Sequence, residues 1–351
     1  MKRSFQVRAR VVSGPESVRV VLFGLGPIGC EVAREIAARG AAFRIVGAVD
    51  RAASLVGKKL SEVAGIESDV EVVGSLGEWR GEAEVAILTT SSRLGAIYEQ
   101  LEACAERRLS VVSSAEELFY PGLEDAELAG RIDSLAIDSG VSILGAGINP
   151  GYLMDVLPTV LAMATGSIRS VACHRVVDVS MRRVPLQRKV GAGLTAEEFN
   201  RLADEGKLGH VGLVQSVAYL AGELGFAIDE IRELLEPAIS RQGFELEGKK
   251  ETPGKVAGID HQAWGLVTKE PVIHLHLQMY VGAFDPRDTI VLEGTPRIEC
   301  TLRPCVAGDR ATAALLVQLA GHAAGAEPGL HFVHDLGLRP WATRYQIERV
   351  G

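Results

Sequence analysis

Residues 18–50, VRVVLFGLGPIGCEVAREIAARGAAFRIVGAVD, constrain the fold more than any other stretch. An apolar run over 20–23 enters Gly24-Leu25-Gly26-Pro27-Ile28-Gly29. A helical pattern follows with Ile28, Val32 and Ile36 on one face, and a second apolar run over 43–49 ends in Asp50. Strand, glycine turn, helix, strand and carboxylate in this order form the dinucleotide fingerprint in its full context. Gly24 permits the tight turn, Gly26 leaves the backbone open to a pyrophosphate, and Gly29 lets helix and strand pack closely. Pro27 and Ile28 belong to the same cofactor-facing loop, and the helix N-terminus faces the phosphates. A nicotinamide dinucleotide is therefore expected. Asp50 is placed to accept hydrogen bonds from the adenosine ribose, which favours NAD, whereas Arg51 could meet a 2′-phosphate and keeps NADP open.

A chain of 351 residues has room for two domains, each with its own core. Its apolar share of 47% and charged share of 23% are those of a soluble globular protein. A net charge of −8 argues against nonspecific nucleic-acid binding. No run reaches the ~18 apolar residues of a membrane helix. The opening carries Lys2, Arg3, Arg8 and Arg10 without an acid before residue 16. It lacks the apolar core of a signal peptide and reads as an extension or an added edge strand. Five scattered cysteines are expected to be reduced thiols in a cytoplasmic protein. Cys300 and Cys305 have no second ligand pair nearby, so no metal is expected.

Downstream, 52–64 reads as a helix, and 70–73 and 84–88 read as strands. The second of these empties into Thr89-Thr90-Ser91-Ser92 ahead of a helix over 94–107. These hydroxyls either contact the nicotinamide ribose at the crevice or cap that helix. The strand over 109–114 carries Ser113 near its end and delivers Glu116 and Glu117, followed by Leu118, Phe119 and Tyr120. An apolar surround raises a carboxyl pKa towards the range of a general base; alternatively both are solvated acids in a helix's first turn. A helix over 122–140 and a strand over 141–144 come next. The turn Gly145-Ala146-Gly147-Ile148-Asn149-Pro150-Gly151 then closes the first domain and opens a helix over 152–164. It would hold Asn149, Tyr152 and Met154 near the reacting centre, or merely allow the crossover between domains.

The second half alternates: 168–181, 245–249, 255–267, 272–281, 289–293 and 297–302 read as strands of an antiparallel or mixed sheet. Helical patterns cover 196–205 and 210–225, with a shorter one over 229–235. In 273–280, His274, His276, Gln278 and Tyr280 share one face, and Ile273, Leu275, Leu277 and Met279 the other. The basic cluster Arg182-Arg183 and Arg188-Lys189 reads either as a clamp for a substrate carboxylate or as a solvated or interface loop. The fold class expected is an α/β N-terminal Rossmann domain (17–150) joined to an α+β domain with a mixed or antiparallel sheet (151–308). A C-terminal helix and tail (309–351) would pack back on the first domain.

Four segments together carry a family resemblance: GAGINPGYLMDVLP, DVSMRRVPLQRKVGAG, GHVGLVQSVAYLA and LQMYVGAFDPRDTIVLEGTP. The chain resembles the 2,4-diaminopentanoate dehydrogenases, a group that includes NAD(P)-dependent amine dehydrogenases of dihydrodipicolinate-reductase-like architecture. The resemblance implies interconversion of an amine with a ketone or aldehyde plus ammonia, NAD or NADP as cofactor, and a homodimer. It matches the family's catalytic glutamate to Glu116, with Glu117 as the second choice, and its pocket-wall aromatic to Tyr152. It also implies that a basic residue and a histidine approach the carboxylate of an amino-acid substrate, for which Arg175, Arg182 and His276 are candidates. The His-His motif and nearby lysine of dihydrodipicolinate reductases are missing. Two other readings stay open: a homoserine-dehydrogenase-like oxidoreductase acting on an alcohol or semialdehyde, and a non-catalytic NAD(P) sensor. Against the first stands the absence of lysine from residues 60 to 188.

Overall fold

The computed structural model describes residues 17–180 and 184–341. The basic N-terminal arm and Arg182 lie outside the described residues. In the fingerprint, β1 (Val18–Phe23) is buried almost throughout. α1 (Pro27–Ala38) starts on a proline, whose missing N–H would have had no partner there anyway, and buries Gly29, Val32, Ala33 and Ile36. β2 (Phe43–Val49) runs parallel to β1 and delivers Asp50. Asp50 accepts the N–H of Ala52 at 2.8 Å, an Asx turn that diverts the chain. The helix expected over 52–64 is accordingly confined to α2 (Leu60–Ala64).

β3 (Val72–Val73), β4 (Val85–Leu88), α3 (Leu94–Glu106), β5 (Ser110–Ser113), α4 (Ala126–Ser139) and β6 (Ser142–Gly145) continue the unit. The strands pair in the order β3-β2-β1-β4-β5-β6, all parallel. Helices cover both faces, which is why β4 and β6 are short continuous buried runs with no alternation. The strand order reverses between β1 and β4. Their carboxyl ends therefore diverge around a crevice, the usual ligand position in a doubly wound sheet.

The second unit begins with α5 (Val156–Ala162), later than the expected start at 152, and β7 (Ile168–Asp178). Three helices follow: α6 (Val184–Lys189), α7 (Ala196–Asp204) and α8 (Leu213–Leu224). Then come β8 (Glu230–Ile239), the hairpin of β9 (Phe244–Leu246) and β10 (Lys249–Glu251), β11 (Val256–Val267), β12 (Glu270–Tyr280), β13 (Arg287–Gly294) and β14 (Ile298–Leu302). The sheet order is β14-β13-β7-β12-β11-β8, with β7 parallel to β12 and the other pairs antiparallel. β8 replaces the helix expected over 229–235. Its apolar spacing suits a helix, but pairing with β11 along the strand overrides that local preference.

One face of this sheet presents Cys173, Ile273, Leu275, Leu277 and Ile290 to the core built with α5 and α8. The other face carries Asp260, Gln262, Trp264, His174, His274 and His276. After β14, α9 (Gly308–Ala323) packs on α1, β4 and β5, and β15 (Gly329–His331) adds a parallel strand beside β6. Among the described residues no helix is long and apolar enough to cross a membrane.

Candidate active site

The carboxyl ends of the first sheet's strands open onto a cleft of about 430 Å³, walled on its other side by residues of β7, β12, α6 and α9. The glycine turn forms one rim. Gly24 has φ +97°, a backbone that side-chain-bearing residues rarely adopt, and donates its N–H to Val49 O at 2.8 Å. A Cβ on Gly29 would strike the Gly24 carbonyl oxygen, whereas one on Gly26 would stand in open space. The turn therefore fits a dinucleotide: tight where it must pack on α1, open where a pyrophosphate approaches. Pro27 and Ile28 line the cleft. Asp50 accepts the Leu25 N–H at 2.7 Å, which braces the turn, and its oxygens retain acceptor capacity for a ribose. Arg51 is exposed.

At the end of β4, Thr89 donates to Gly24 O at 2.9 Å and Thr90 to Gln100 Oε1 at 2.6 Å, and Thr89, Thr90, Ser91 and Ser92 all line the cleft. Ser113 does not. It is fully buried, donates to Leu88 O at 3.1 Å and accepts the Ala115 N–H at 3.1 Å. Its neighbour Ser114 supplies the hydroxyl that reaches the cleft, because alternate residues of a strand face opposite ways.

Glu116 and Glu117 begin a short 3₁₀ turn, in which consecutive side chains point about 120° apart. Glu116 faces the cleft. Burial raises its pKa above the ordinary carboxylate value, and nearby Ser92 and the charge of Lys189 draw it partly back. Glu117 turns away and is only 5% exposed. It pairs with Arg93 at 2.5 Å and accepts the Leu94 N–H at 2.7 Å, so it caps α3 and is withdrawn from the cleft.

Asn149 lines the cleft and donates its amide to His210 Nε2 at 3.1 Å, while its buried Oδ1 has no partner among the described residues. Burial, with the nearby His261, Lys189 and Arg175 charges, pushes the His210 pKa down to about 3 and keeps the ring neutral. The turn bearing Asn149 is held by Asp155, which accepts the N–H groups of Gly151 at 2.9 Å and Val156 at 2.7 Å and the Ser216 hydroxyl at 2.7 Å. Burial raises the Asp155 pKa to about 6.

Several expected substrate contacts lie elsewhere. Tyr152 is 37% exposed in the turn before α5 and does not line the cleft. Met154 is in the core of the second unit at 1% exposure. Both miss the cleft because the chain turns through 152–155 and becomes helical only at Val156. His276 is on the far face of the sheet: Leu277 lines the cleft, so period-two alternation turns its predecessor away. There His276 bonds Asp260 at 2.8 Å and stacks on His174, beside Trp264 stacked on His274. Arg175 does reach the cleft, but it is paired with Asp288 at 2.6 Å and donates to Val306 O at 2.6 Å. Among the described residues no group of three or more histidines, cysteines or acids could hold a metal.

A family profile for the C-terminal domain of 2,4-diaminopentanoate dehydrogenase matches residues 152–348. The 2,4-diaminopentanoate dehydrogenase of Acetoanaerobium sticklandii is 32% identical over 332 residues, covering 92% of this chain and 94% of that protein. The chain belongs to the 2,4-diaminopentanoate dehydrogenase family. Like the proteins that name this family, it is an oxidoreductase. An amine dehydrogenase of Streptomyces virginiae is 24% identical over 373 residues, covering 92% of this chain and 97% of its own. The solved amine dehydrogenase from Mycobacterium smegmatis shares the fold, with a TM-score of 0.78 at 22% identity over 94% of this chain and 97% of that one.

Within this family member, one cleft residue had no motif to announce it, and a second was announced only as part of the basic cluster Arg182-Arg183 and Arg188-Lys189. His210 sits in a segment that contributes to the resemblance, yet nothing in its spacing marks it as a cleft residue. Lys189 is the first lysine after the lysine-free interval, and α6 brings it into the cleft that holds Glu116. A window of sequence around Glu116 could not contain it.

Proposed function

We propose that this enzyme catalyses the reversible NAD(P)-dependent oxidative deamination of a small amine, such as a 2,4-diaminopentanoate-like amino acid or an aliphatic amine, to a ketone or aldehyde plus ammonia. The observation that carries this reading is Glu116: a carboxylate of raised pKa in the same cleft as a dinucleotide-shaped glycine turn. Gly24, Gly26, Gly29 and Asp50 would hold the dinucleotide, with Thr89, Thr90, Ser91 and Asn149 towards its nicotinamide end. When bound, the nicotinamide ring accepts hydride from the substrate carbon or returns it. Either dinucleotide suits the turn: Asp50 favours a ribose diol, and exposed Arg51 leaves a cation for a 2′-phosphate.

A substrate ammonium has no free lone pair, so Glu116 must first take one of its protons. The neutral amine then loses hydride from its carbon and becomes an iminium. After Glu116 has released that proton to solvent, it deprotonates the water that attacks the iminium carbon, giving a carbinolamine. Glu116 returns the proton to nitrogen; the C–N bond breaks as an oxygen electron pair forms the carbonyl, ammonia leaves, and the hydroxyl proton passes back to Glu116. In the reductive direction Glu116 protonates the departing hydroxyl. Burial suits Glu116 to both directions, because a raised pKa brings its two protonation states closer together in energy near working pH. The hydride step needs donor and acceptor carbons at about 3 to 3.5 Å.

The test is NADH and NADPH oxidation in concentrated ammonium at alkaline pH, with a panel of aliphatic ketones, aldehydes and 2-amino-4-oxopentanoate. Ammonia-dependent oxidation is the expected result. Oxidation indifferent to ammonia would make the protein a carbonyl reductase, and intact cofactor binding without turnover would make it a sensor.

A further inference from the structure

Asp155 is a fully buried carboxyl that does not line the cleft and takes no part in the deamination steps. One of its oxygens accepts the Val156 N–H at the start of α5. The other accepts both the Gly151 N–H and the hydroxyl of Ser216, a fully buried residue of α8 that lies 61 positions further along the chain. Capping α5 alone does not call for a buried acid, since serine or asparagine serves at a smaller desolvation cost. What the carboxyl adds is a link between the turn after β6 and α8.

Both linked segments lead to Glu116. Ser216 donates its N–H to Gly212 O at 3.0 Å, and Gly212, with φ +116°, precedes α8. A Cβ on Gly212 would strike the Pro150 ring and come within 3.4 Å of Glu116 Cβ, so this backbone is pressed between the turn and the glutamate. On the other side, Gly151 has φ +122° and is folded so closely on Gly147 that a Cβ there would strike the Gly147 backbone. Such a turn has little room to yield locally, and a shift at Gly151 passes to its neighbour Pro150. We infer that Asp155 is a positioning residue, which through Ser216 and Gly151 fixes Gly212 and Pro150 against Glu116 and so holds that carboxylate where it reacts. This rests on the deamination reading above, in which Glu116 is the base, and deepens it.

The experiment is a double-mutant cycle between Ser216→Ala and Glu116→Gln, read on the best carbonyl of the panel above with ammonium and NADH or NADPH. Ser216→Ala removes the link to α8 and leaves both turn bonds of Asp155. Its kcat should fall about 10- to 100-fold, the scale of a misplaced catalytic group, with KM within about threefold. In the Glu116→Gln background the same change should cost less than about threefold, because its effect acts through Glu116. An equal fall in both backgrounds, or no fall in the wild type, overturns the inference. Asp155→Asn, which turns one accepting oxygen into a donor, should show the same pattern, and a normal kcat in it counts equally against the inference. Amide hydrogen exchange of the NADH- or NADPH-loaded protein gives a readout independent of turnover. In Ser216→Ala, exchange over 113–119 should quicken at least about tenfold while exchange over α1 stays unchanged. Unchanged exchange over 113–119, or equal quickening throughout the chain, rejects the role of Asp155. A wild type without ammonia-dependent turnover would remove the deamination reading, and exchange would still decide whether Asp155 holds the Glu116 segment.

Discussion

The carboxylate of Glu117 accepts the backbone N–H of Leu94 at 2.7 Å, joining the turn after β5 to the first residue of α3. The same group holds Arg93. The helix start therefore has an acceptor for one of its unpaired N–H groups, supplied from another element. Glu117→Ala should cost about 3 kcal/mol, since it strands that buried N–H and frees Arg93. Thermal unfolding measures the loss, and the folded variant should keep turnover within about tenfold of wild type because its cleft-facing neighbour is intact.

Glu116→Gln tests the opposite role. Turnover should fall about a thousandfold, within the usual range for removing a general base, with little change in melting temperature. Affinity for NADH, read by fluorescence titration, should stay within about twofold, because the glycine turn is untouched. Normal turnover in this variant would remove Glu116 from the mechanism.

The pH profile follows from the raised pKa of Glu116. Deamination needs the ionised carboxylate, so kcat/KM should climb with pH through one ionisation above the ordinary carboxylate range and then level. Lys189 stabilises the ionised form, so Lys189→Met should displace that rise to higher pH. A displacement to lower pH, or none, would contradict the electrostatic coupling of the two residues.

Asp155 makes a stability prediction with a definite sign. Its pKa is raised from 3.8 to about 6 in the folded protein. Across that window the native state keeps a proton that the unfolded chain releases, so this group's contribution to stability falls as pH rises, by roughly 3 kcal/mol in all. Asp155→Asn lacks that slope. Denaturant unfolding at pH 4.5 and pH 7 should show the gap between wild type and variant narrowing at the higher pH.

Gly29→Ala probes the turn itself. The added Cβ would strike the Gly24 carbonyl oxygen, a backbone atom with no flexible end to move aside. NADH affinity should drop at least about tenfold and stability by about 2 kcal/mol or more, the scale of an overpacked core. Calorimetry and thermal unfolding would measure the two effects.

The sequence by itself determined the first unit: glycine turn, flanking strands, amphipathic α1 and Asp50 are neighbours in the chain, and their interactions are local enough to be written in spacing. It also determined which faces of β12 are apolar and polar, because period two is a property of the strand alone. Only the tertiary structure decided what those faces meet. The cleft falls on the side of Leu277, which sends His276 to the opposite surface. β8 became a strand because β11 offered it a hydrogen-bonding edge, an interaction between segments that no local pattern records. Glu116 and Glu117 are equivalent in composition and adjacent in position. The rotation of a single 3₁₀ turn, set by packing against α3, gave one to the cleft and buried the other as a cap. Lys189 comes within electrostatic reach of Glu116 across more than seventy residues of chain, because the two sheets close over a shared space and charge acts through that space, not along the backbone.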